Sequence, residues 1–411
     1  MVDCCSAPGL LPFEQALEKM LSVVKPIFDA EQVSLNHALG RILAQEVQSP
    51  VYVPPNDYSA MDGYAFSHKS LTLDQPLKLV GRSMAGAPFL GECKLGECVR
   101  IMTGAKVPAD CDTVEMQENC KVEEDYITFL SARKFADNVR KKGEDIAKNH
   151  TVFSAGRELT AIDIGVLASL GINEISVYRK LKVALISTGN ELKKPGQSLN
   201  DGDIYESNSQ FLTAMLIKFG VEIVDFGIIE DVEMSINNAF EKADKSADVV
   251  ISSGGVSVGD ADYTKSVLEN LGEIAFWKIA MKPGKPFAFG TLPNSYFFGL
   301  PGNPVSALVT AHQLVLPALL KMQSVIYKKP LMLTAKTTTT LKKSPGRMDF
   351  QRGILTNTDN GELQVTSTGS QGSGILTSMA AANCYIVLAA EQGKINQGEW
   401  VNVQMFDKYL Q

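Results

Sequence analysis

Four short apolar runs in the middle of the chain each end in a loop rich in glycine, hydroxyl or carboxylate groups. Residues 183–187 lead into Thr188-Gly-Asn-Glu-Leu192, and residues 221–229 end at Glu230-Asp231. Residues 248–252 open into Ser253-Gly-Gly-Val-Ser-Val-Gly-Asp-Ala-Asp-Tyr-Thr-Lys265, and residues 296–300 meet Pro301-Gly-Asn-Pro304. Runs this short and apolar suit strands buried on both faces. If they are parallel, the four loops share one edge of one sheet, where open α/β sheets bind their ligands. Glycines, hydroxyls and carboxylates gathered there are what a phosphate and a metal ion require, which argues for an enzyme.

At 411 residues the chain is too long for one ordinary core, so several domains are expected. The formal charge of -7 speaks against non-specific binding to nucleic acid or an anionic membrane. Any anion site must therefore be made by local placement of groups. Seven cysteines without a paired C-x-x-C, and four scattered histidines, fit reduced thiols in the cytoplasm and no zinc site. No apolar run approaches the ~18 residues of a membrane helix, and the N-terminus lacks the pattern of a signal peptide.

The pattern changes along the chain. Phe13, Ala16, Leu17, Met20 and Leu21 have helical spacing after Pro12, and Leu35, Ala38, Leu39, Ile42 and Leu43 repeat that spacing after Ser34, a candidate N-cap. Short alternating runs then follow at residues 77–80, 98–102, 113–117 and 126–129, which reads as a small β domain. Thr160-Ala-Ile-Asp163 has the form of a capping box, and Gly171 would stop the helix it opens. The expected organisation is a discontinuous helical domain (1–48 plus 146–180), an inserted β domain (49–145), a doubly wound, mostly parallel α/β domain (181–329) and a small C-terminal β-barrel (330–411). Residues 209–219 and 235–245 are the clearest crossover helices, with Gly220 as the stop of the first.

Several motifs carry chemistry. Gly254 and Gly255 let the backbone come close to a ligand and turn amides toward it, while Asp262 could cap the next helix or bind a cation. Gly255-Val-Ser-Val-Gly259 matches a hydrolase nucleophile elbow in form only: the one later histidine is His312, and no Asp lies between it and Asp262. Asn303 and Pro304 have the positions of an N-cap and of N1, giving a helix running to about Met322 whose dipole end would face an anion. Lys278, Lys282 and Lys285 sit in a proline- and glycine-framed loop that would hold their ammonium groups in place.

Together with Ser59-Ala-Met-Asp-Gly-Tyr64, Arg100-Ile-Met-Thr-Gly-Ala105, Gly143-Glu-Asp145, Met281-Lys-Pro-Gly-Lys-Pro286, Gly346-Arg-Met-Asp-Phe-Gln-Arg352 and Gln371-Gly-Ser373, these strings resemble the molybdopterin molybdenumtransferase family over nearly the whole chain. The C-terminal domain of gephyrin is similar as well. The resemblance implies insertion of molybdate into adenylylated molybdopterin, with Mg²⁺-dependent release of AMP. It implies catalytic roles for Asp62, Thr103, Asp145, Glu191, Asp231, Asp262, Lys278 and Lys282, with Glu191, Asp231 and Asp262 as metal ligands. Substrate contacts are implied for Thr188, Gly254, Gly255, Ser257, Lys285, Pro301, Gly302, Asn303, Pro304, Arg352 and Ser373. A homodimer with sites shared between chains is implied, with contacts to the molybdopterin adenylyltransferase and to cofactor-accepting proteins. One position departs from the pattern: Asn190 stands where the family often has Asp, which shifts the metal role toward Glu191. The rival readings are a molybdopterin adenylyltransferase, which would consume ATP without molybdate, and a gephyrin-like scaffold.

Overall fold

The computed structural model describes residues 10–70, 75–130, 134–255, 263–325 and 327–411, apart from the Trp277 side chain. Contacts divide the chain into two units: Met1–Glu31 with Gly40–Ile42 and Tyr178–Gln411, and Gln32–Leu39 with Leu43–Val177.

The first unit holds the expected parallel sheet. Its order is Glu222–Ile229, Lys182–Thr188, Val249–Ser253, Tyr296–Leu300, Pro286–Thr291, Glu273–Lys278. The first four strands are parallel neighbours, and the last two pair antiparallel. Strand alternation splits the core into two layers. Val183, Leu185, Val249 and Ile251 join the cluster holding Leu212, Met215 and Val305, whereas Ala184, Ile186 and Val250 join the cluster holding Ile236, Phe240, Val267 and Leu268. Helices Asn208–Phe219 and Pro304–Thr310 thus lie on one face, and Glu233–Ser246 and Tyr263–Leu271 on the other. Gly220 ends the first crossover helix in the left-handed conformation at φ 86°, where a side chain would be strained.

From Pro304 the chain stays helical to Met322, through a π-helical turn at Ala311–Val315. By length and composition these nineteen residues could cross a membrane, which corrects the expectation that no apolar run approaches that length, but most of them are buried inside the fold. The barrel closes as expected: strands Met348–Asn357, Leu363–Ser367, Met332–Thr337, Trp400–Met405 and Cys384–Leu388 pair in a ring, and Met281–Lys282 pairs parallel with Met348 and Asp349.

The second unit contains a six-stranded sheet in the order Thr113–Met116, Gly63–Phe66, Glu97–Ile101, Leu77–Ser83, Tyr126–Phe129, Cys120–Glu123, which includes all four predicted β runs. Thr160 caps Ala161–Ser169 through a complete capping box with Asp163, as the sequence predicts.

Two expectations fail. The second helical pattern, at residues 35–43, instead follows strand Ala30–Ser34 and forms only one 3-10 turn, Leu35–His37, and the Ser34 hydroxyl makes no cap hydrogen bond. Gly40 adopts φ 72°, Leu43 bridges to Val177, and Ala38 and Leu43 bury beside Phe153 and Leu167. Tertiary packing thus satisfies these apolar positions without a helix. The first helix, Phe13–Val23, buries Ala16 and Met20 in the α/β core and not with the 146–177 segment, because its apolar stripe meets the cluster holding Leu319 and Met322.

Candidate active site

The C-terminal edge of the parallel sheet brings together Thr188, Ser252 to Gly255 and the Pro301–Pro304 turn. Gly254 and Gly255 have φ of 88° and 66°, and neither has room for a side chain. A Cβ on Gly254 would lie 2.5 Å from the Thr188 carbonyl oxygen; one on Gly255 would lie 2.3 Å from Thr264 Oγ1 and 2.8 Å from Thr188 Oγ1. Gly302 is so near that its Cβ would lie 3.9 Å from Gly254 Cα. The double glycine therefore lets the backbone turn between two hydroxyls and against the next loop.

The two faces of the sheet differ at this edge. Toward helix Asn208–Phe219, Asn208 Nδ2 donates to Ser253 Oγ at 2.7 Å and to the Gly302 carbonyl at 2.8 Å. Glu206 accepts from Ser187 Oγ at 3.3 Å, from the Ser209 amide at 2.8 Å and from the Ser209 hydroxyl. Toward helix Tyr263–Leu271, Thr188 Oγ1, Ser252 Oγ and Thr264 Oγ1 are buried without a hydrogen-bond partner among the described residues. Neither Asn208 nor Glu206 stands out in the sequence, and Thr264, though part of the Ser253–Lys265 string, carries no role there. Glu206-Ser-Asn-Ser209 before an amphipathic helix reads as an ordinary cap, yet the N-cap Ser207 side chain caps nothing and its neighbours turn inward.

Pro304 occupies N1 as predicted, with Asn303 at the N-cap position, but the Asn303 side chain makes no cap hydrogen bond and is exposed. The helix end thus keeps the exposed side-chain amide of Asn303 for a ligand, while the Ala307 amide donates to the Asn303 carbonyl at 2.9 Å. The Val305 amide is already taken: it donates to the Ser373 carbonyl at 3.0 Å, which brings the barrel residue Ser373 to this helix.

Of the proposed metal ligands, Glu191 and Asp231 follow neighbouring strands. The Asp231 amide donates to Asn190 Oδ1 at 3.1 Å, so Asn190 ties the two loops together. Both carboxylates lack an ion pair or hydrogen bond among the described residues, and the Glu191 carboxylate lies over Gly189, within 3.0 Å of where its Cβ would be. No group of three or more His, Cys, Asp or Glu side chains gathers closely enough to hold a metal alone among the described residues. Asp262 and Ser257 lie outside them.

Lys278 ends its strand, and Lys278 and Lys285 have no ion pair among the described residues. Lys282 is 3.5 Å from the buried Asp349 carboxylate, which also accepts from Gln351 Nε2 at 3.1 Å. Their loop is held rigidly: a Cβ on Gly284 would lie 2.4 Å from Thr310 Cγ2. Arg352 is 1% exposed, donates from Nε to Ser378 Oγ and from Nη2 to the Gly372 carbonyl, both at 3.0 Å, and has no carboxylate partner among the described residues. Burial holds its guanidinium below the ordinary value, offset in part by the charge of Asp349.

In the second unit, Asp62 Oδ1 accepts from the Thr103 amide at 2.7 Å and hydroxyl at 2.8 Å. These two bonds hold its carboxyl below the usual value. Thr103 lines a cavity of about 210 Å³ with Pro54, Tyr58, Ser59, Ala60, Gly104 and Arg140. Asp145 does not line it; its amide donates to the Val53 carbonyl, and its side chain is exposed.

A parallel sheet with a glycine-lined ligand edge, followed by a closed barrel, defines a multidomain α/β binding protein. Comparison with known proteins identifies which. The MoeA N-terminal region (domain I and II) matches residues 11–171, the probable molybdopterin binding domain 184–321, and the MoeA C-terminal region (domain IV) 334–406. A molybdopterin molybdenumtransferase of Haemophilus influenzae is 45% identical over 403 residues, covering 98% of this chain and 100% of that protein. The molybdopterin biosynthesis MoeA protein of Pyrococcus horikoshii is similar in structure, with a TM-score of 0.83 and 29% identity over 97% of this chain and 100% of that one. Gephyrin of Dictyostelium discoideum is 30% identical over 96% of this chain and 62% of its own length. The chain belongs to the MoeA family of molybdopterin molybdenumtransferases.

Proposed function

We propose that this protein inserts molybdate into adenylylated molybdopterin and releases AMP in an Mg²⁺-dependent reaction. The observation carrying this reading is the set of buried, unpartnered hydroxyls beneath a double-glycine turn, beside a helix N-terminus whose Asn303 caps nothing. Unsatisfied buried hydroxyls next to an uncommitted side-chain amide suit the oxygens of a diphosphate. The carboxylates of Glu191 and Asp231 also fit Mg²⁺, which takes one or two carboxylates and completes its shell with water and substrate phosphate. Bound there, the ion would supply charge neutralisation at the diphosphate. Lys278 and Lys285 add positive charge that no acid among the described residues neutralises, and Lys282 is aimed by Asp349. A buried guanidinium without a carboxylate is costly until an anion meets it, so Arg352 beside Ser373 suits the molybdate dianion.

In this reading the protein works in the cytoplasm as a homodimer, handing on its product to cofactor-accepting proteins. Asp62, Thr103 and Asp145 of one chain serve the partner's reaction. The firm Asp62–Thr103 pairing supports a positioned carboxylate there. Anaerobic incubation with adenylylated molybdopterin, Mg²⁺ and molybdate tests the activity. Molybdate-dependent AMP release is expected. ATP consumption without molybdate would mark an adenylyltransferase instead, and neither reaction would leave a scaffold.

A further inference from the structure

We infer that Thr264 is a further substrate-binding residue, whose hydroxyl pairs with that of Thr188 to grip one phosphate oxygen under the Gly254–Gly255 turn. This rests on the proposed function above and deepens it. Three observations carry it. Thr188 and Thr264 are 5% and 1% exposed, and both Oγ1 atoms lack a partner among the described residues. Both lie beside Gly255, 2.8 and 2.3 Å from where its Cβ would stand, so they are no more than about 5 Å apart and flank the same glycine. Strand alternation puts Thr188 and Ser252 on the face covered by helix Tyr263–Leu271, from whose first turn Thr264 projects inward beside Val267 and Leu268.

A buried hydroxyl without a partner costs free energy, and here three collect at the ligand edge while the opposite face satisfies every corresponding group. Hydroxyl groups can donate, so two beside one glycine can share an anionic oxygen. The recognised chemistry is an oxygen of a tetrahedral phosphate. The substrate offers two phosphates, one on the pterin side and one on the nucleotide side of the diphosphate.

The test uses the full-length protein and the variants Thr264→Val and Thr264→Ser. Dissociation constants for molybdopterin, AMP and inorganic pyrophosphate are measured by titration, alongside thermal unfolding of the free proteins. Valine keeps the shape and removes the hydroxyl, so the free protein should unfold at the parent temperature or above it. Affinity for pyrophosphate should fall about tenfold, as expected for loss of a charge-assisted hydrogen bond, and serine should restore it. A matching loss for molybdopterin alone assigns the pterin-side phosphate, and one for AMP alone the nucleotide side. Unchanged affinities for all three, as when only a water joins the hydroxyls, would overturn the inference. So would a lowered unfolding temperature with unchanged affinities, which marks a structural hydroxyl. The parent's own titration and AMP release separate the outcomes: if the parent releases no AMP, the proposed function fails, while the pyrophosphate arm still decides on Thr264.

Discussion

The two faces of the parallel sheet meet the same ligand edge and treat their polar groups in opposite ways. On the face covered by Asn208–Phe219, Ser187 and Ser253 are engaged by Glu206 and Asn208, and Asn208 also holds the Gly302 carbonyl. On the face covered by Tyr263–Leu271, Thr188, Ser252 and Thr264 remain unsatisfied among the described residues. One face therefore spends its polar groups on holding two loops in register, and the other keeps them in reserve. A closed network sets geometry, and an open one signals what is to be bound. The same division recurs among the charges: Lys282 is engaged by Asp349, whereas Lys278, Lys285, Glu191 and Asp231 are without ion pairs among the described residues.

Substitutions on the two faces should part accordingly. The largest loss of stability is expected for Asn208→Leu, which leaves Ser253 and the Gly302 carbonyl without their donor. Denaturant unfolding should show a loss of about 2–3 kcal/mol. A loss below about 0.5 kcal/mol would mean the network does not hold the loops.

A smaller effect is expected at the far edge of the sheet, where Arg179 Nη1 and Nη2 donate to Asp248 at 2.7 and 2.8 Å and the Lys182 amide donates at 2.8 Å. Burial pushes the Asp248 carboxyl up, but these bonds outweigh it and leave the value below the ordinary 3.8. A carboxyl lowered in the folded state stabilises above its unfolded value, and that contribution fades as pH falls through the folded value. Asp248→Asn should therefore cost about 1–2 kcal/mol at pH 7, with the gap to the parent closing below about pH 4. A gap independent of pH would assign the loss to packing.

The smallest effect on stability belongs to the other lysines and hydroxyls. Lys285→Gln should leave unfolding unchanged within about 0.5 kcal/mol, because no partner is lost. It should raise the molybdate concentration needed for AMP release, an effect that unchanged molybdate dependence would exclude.

Much of the α/β unit was legible because its central strands are buried on both faces and its helices are amphipathic, so periodicity carried the information. The five barrel strands and the capping box at Thr160 were legible for similarly local reasons. Residues 35–43 misled because their apolar spacing satisfies a helix as well as the packing of Ala38 and Leu43 against distant partners, and periodicity cannot separate the two. At the site, glycine loops and acids stood out as strings. Asn208 and Glu206 did not, and Thr264 stood in a string without a role, because their significance lies in which partner they have or lack, and that arises only when separate strands and helices are brought together. Arg352 was legible as a cation, but its burial without a carboxylate was not.

The most direct test of the division between the faces is a paired measurement on Thr188→Val and Asn208→Leu, taking molybdopterin affinity and unfolding free energy from the same preparations. The expected result is a crossed pattern. Thr188→Val should lose about tenfold in affinity and stay within about 0.5 kcal/mol of the parent in stability, while Asn208→Leu should lose about 2–3 kcal/mol of stability. If Thr188→Val is destabilised as much as Asn208→Leu and binds molybdopterin as tightly as the parent, the unsatisfied face is not a ligand surface and the account is contradicted.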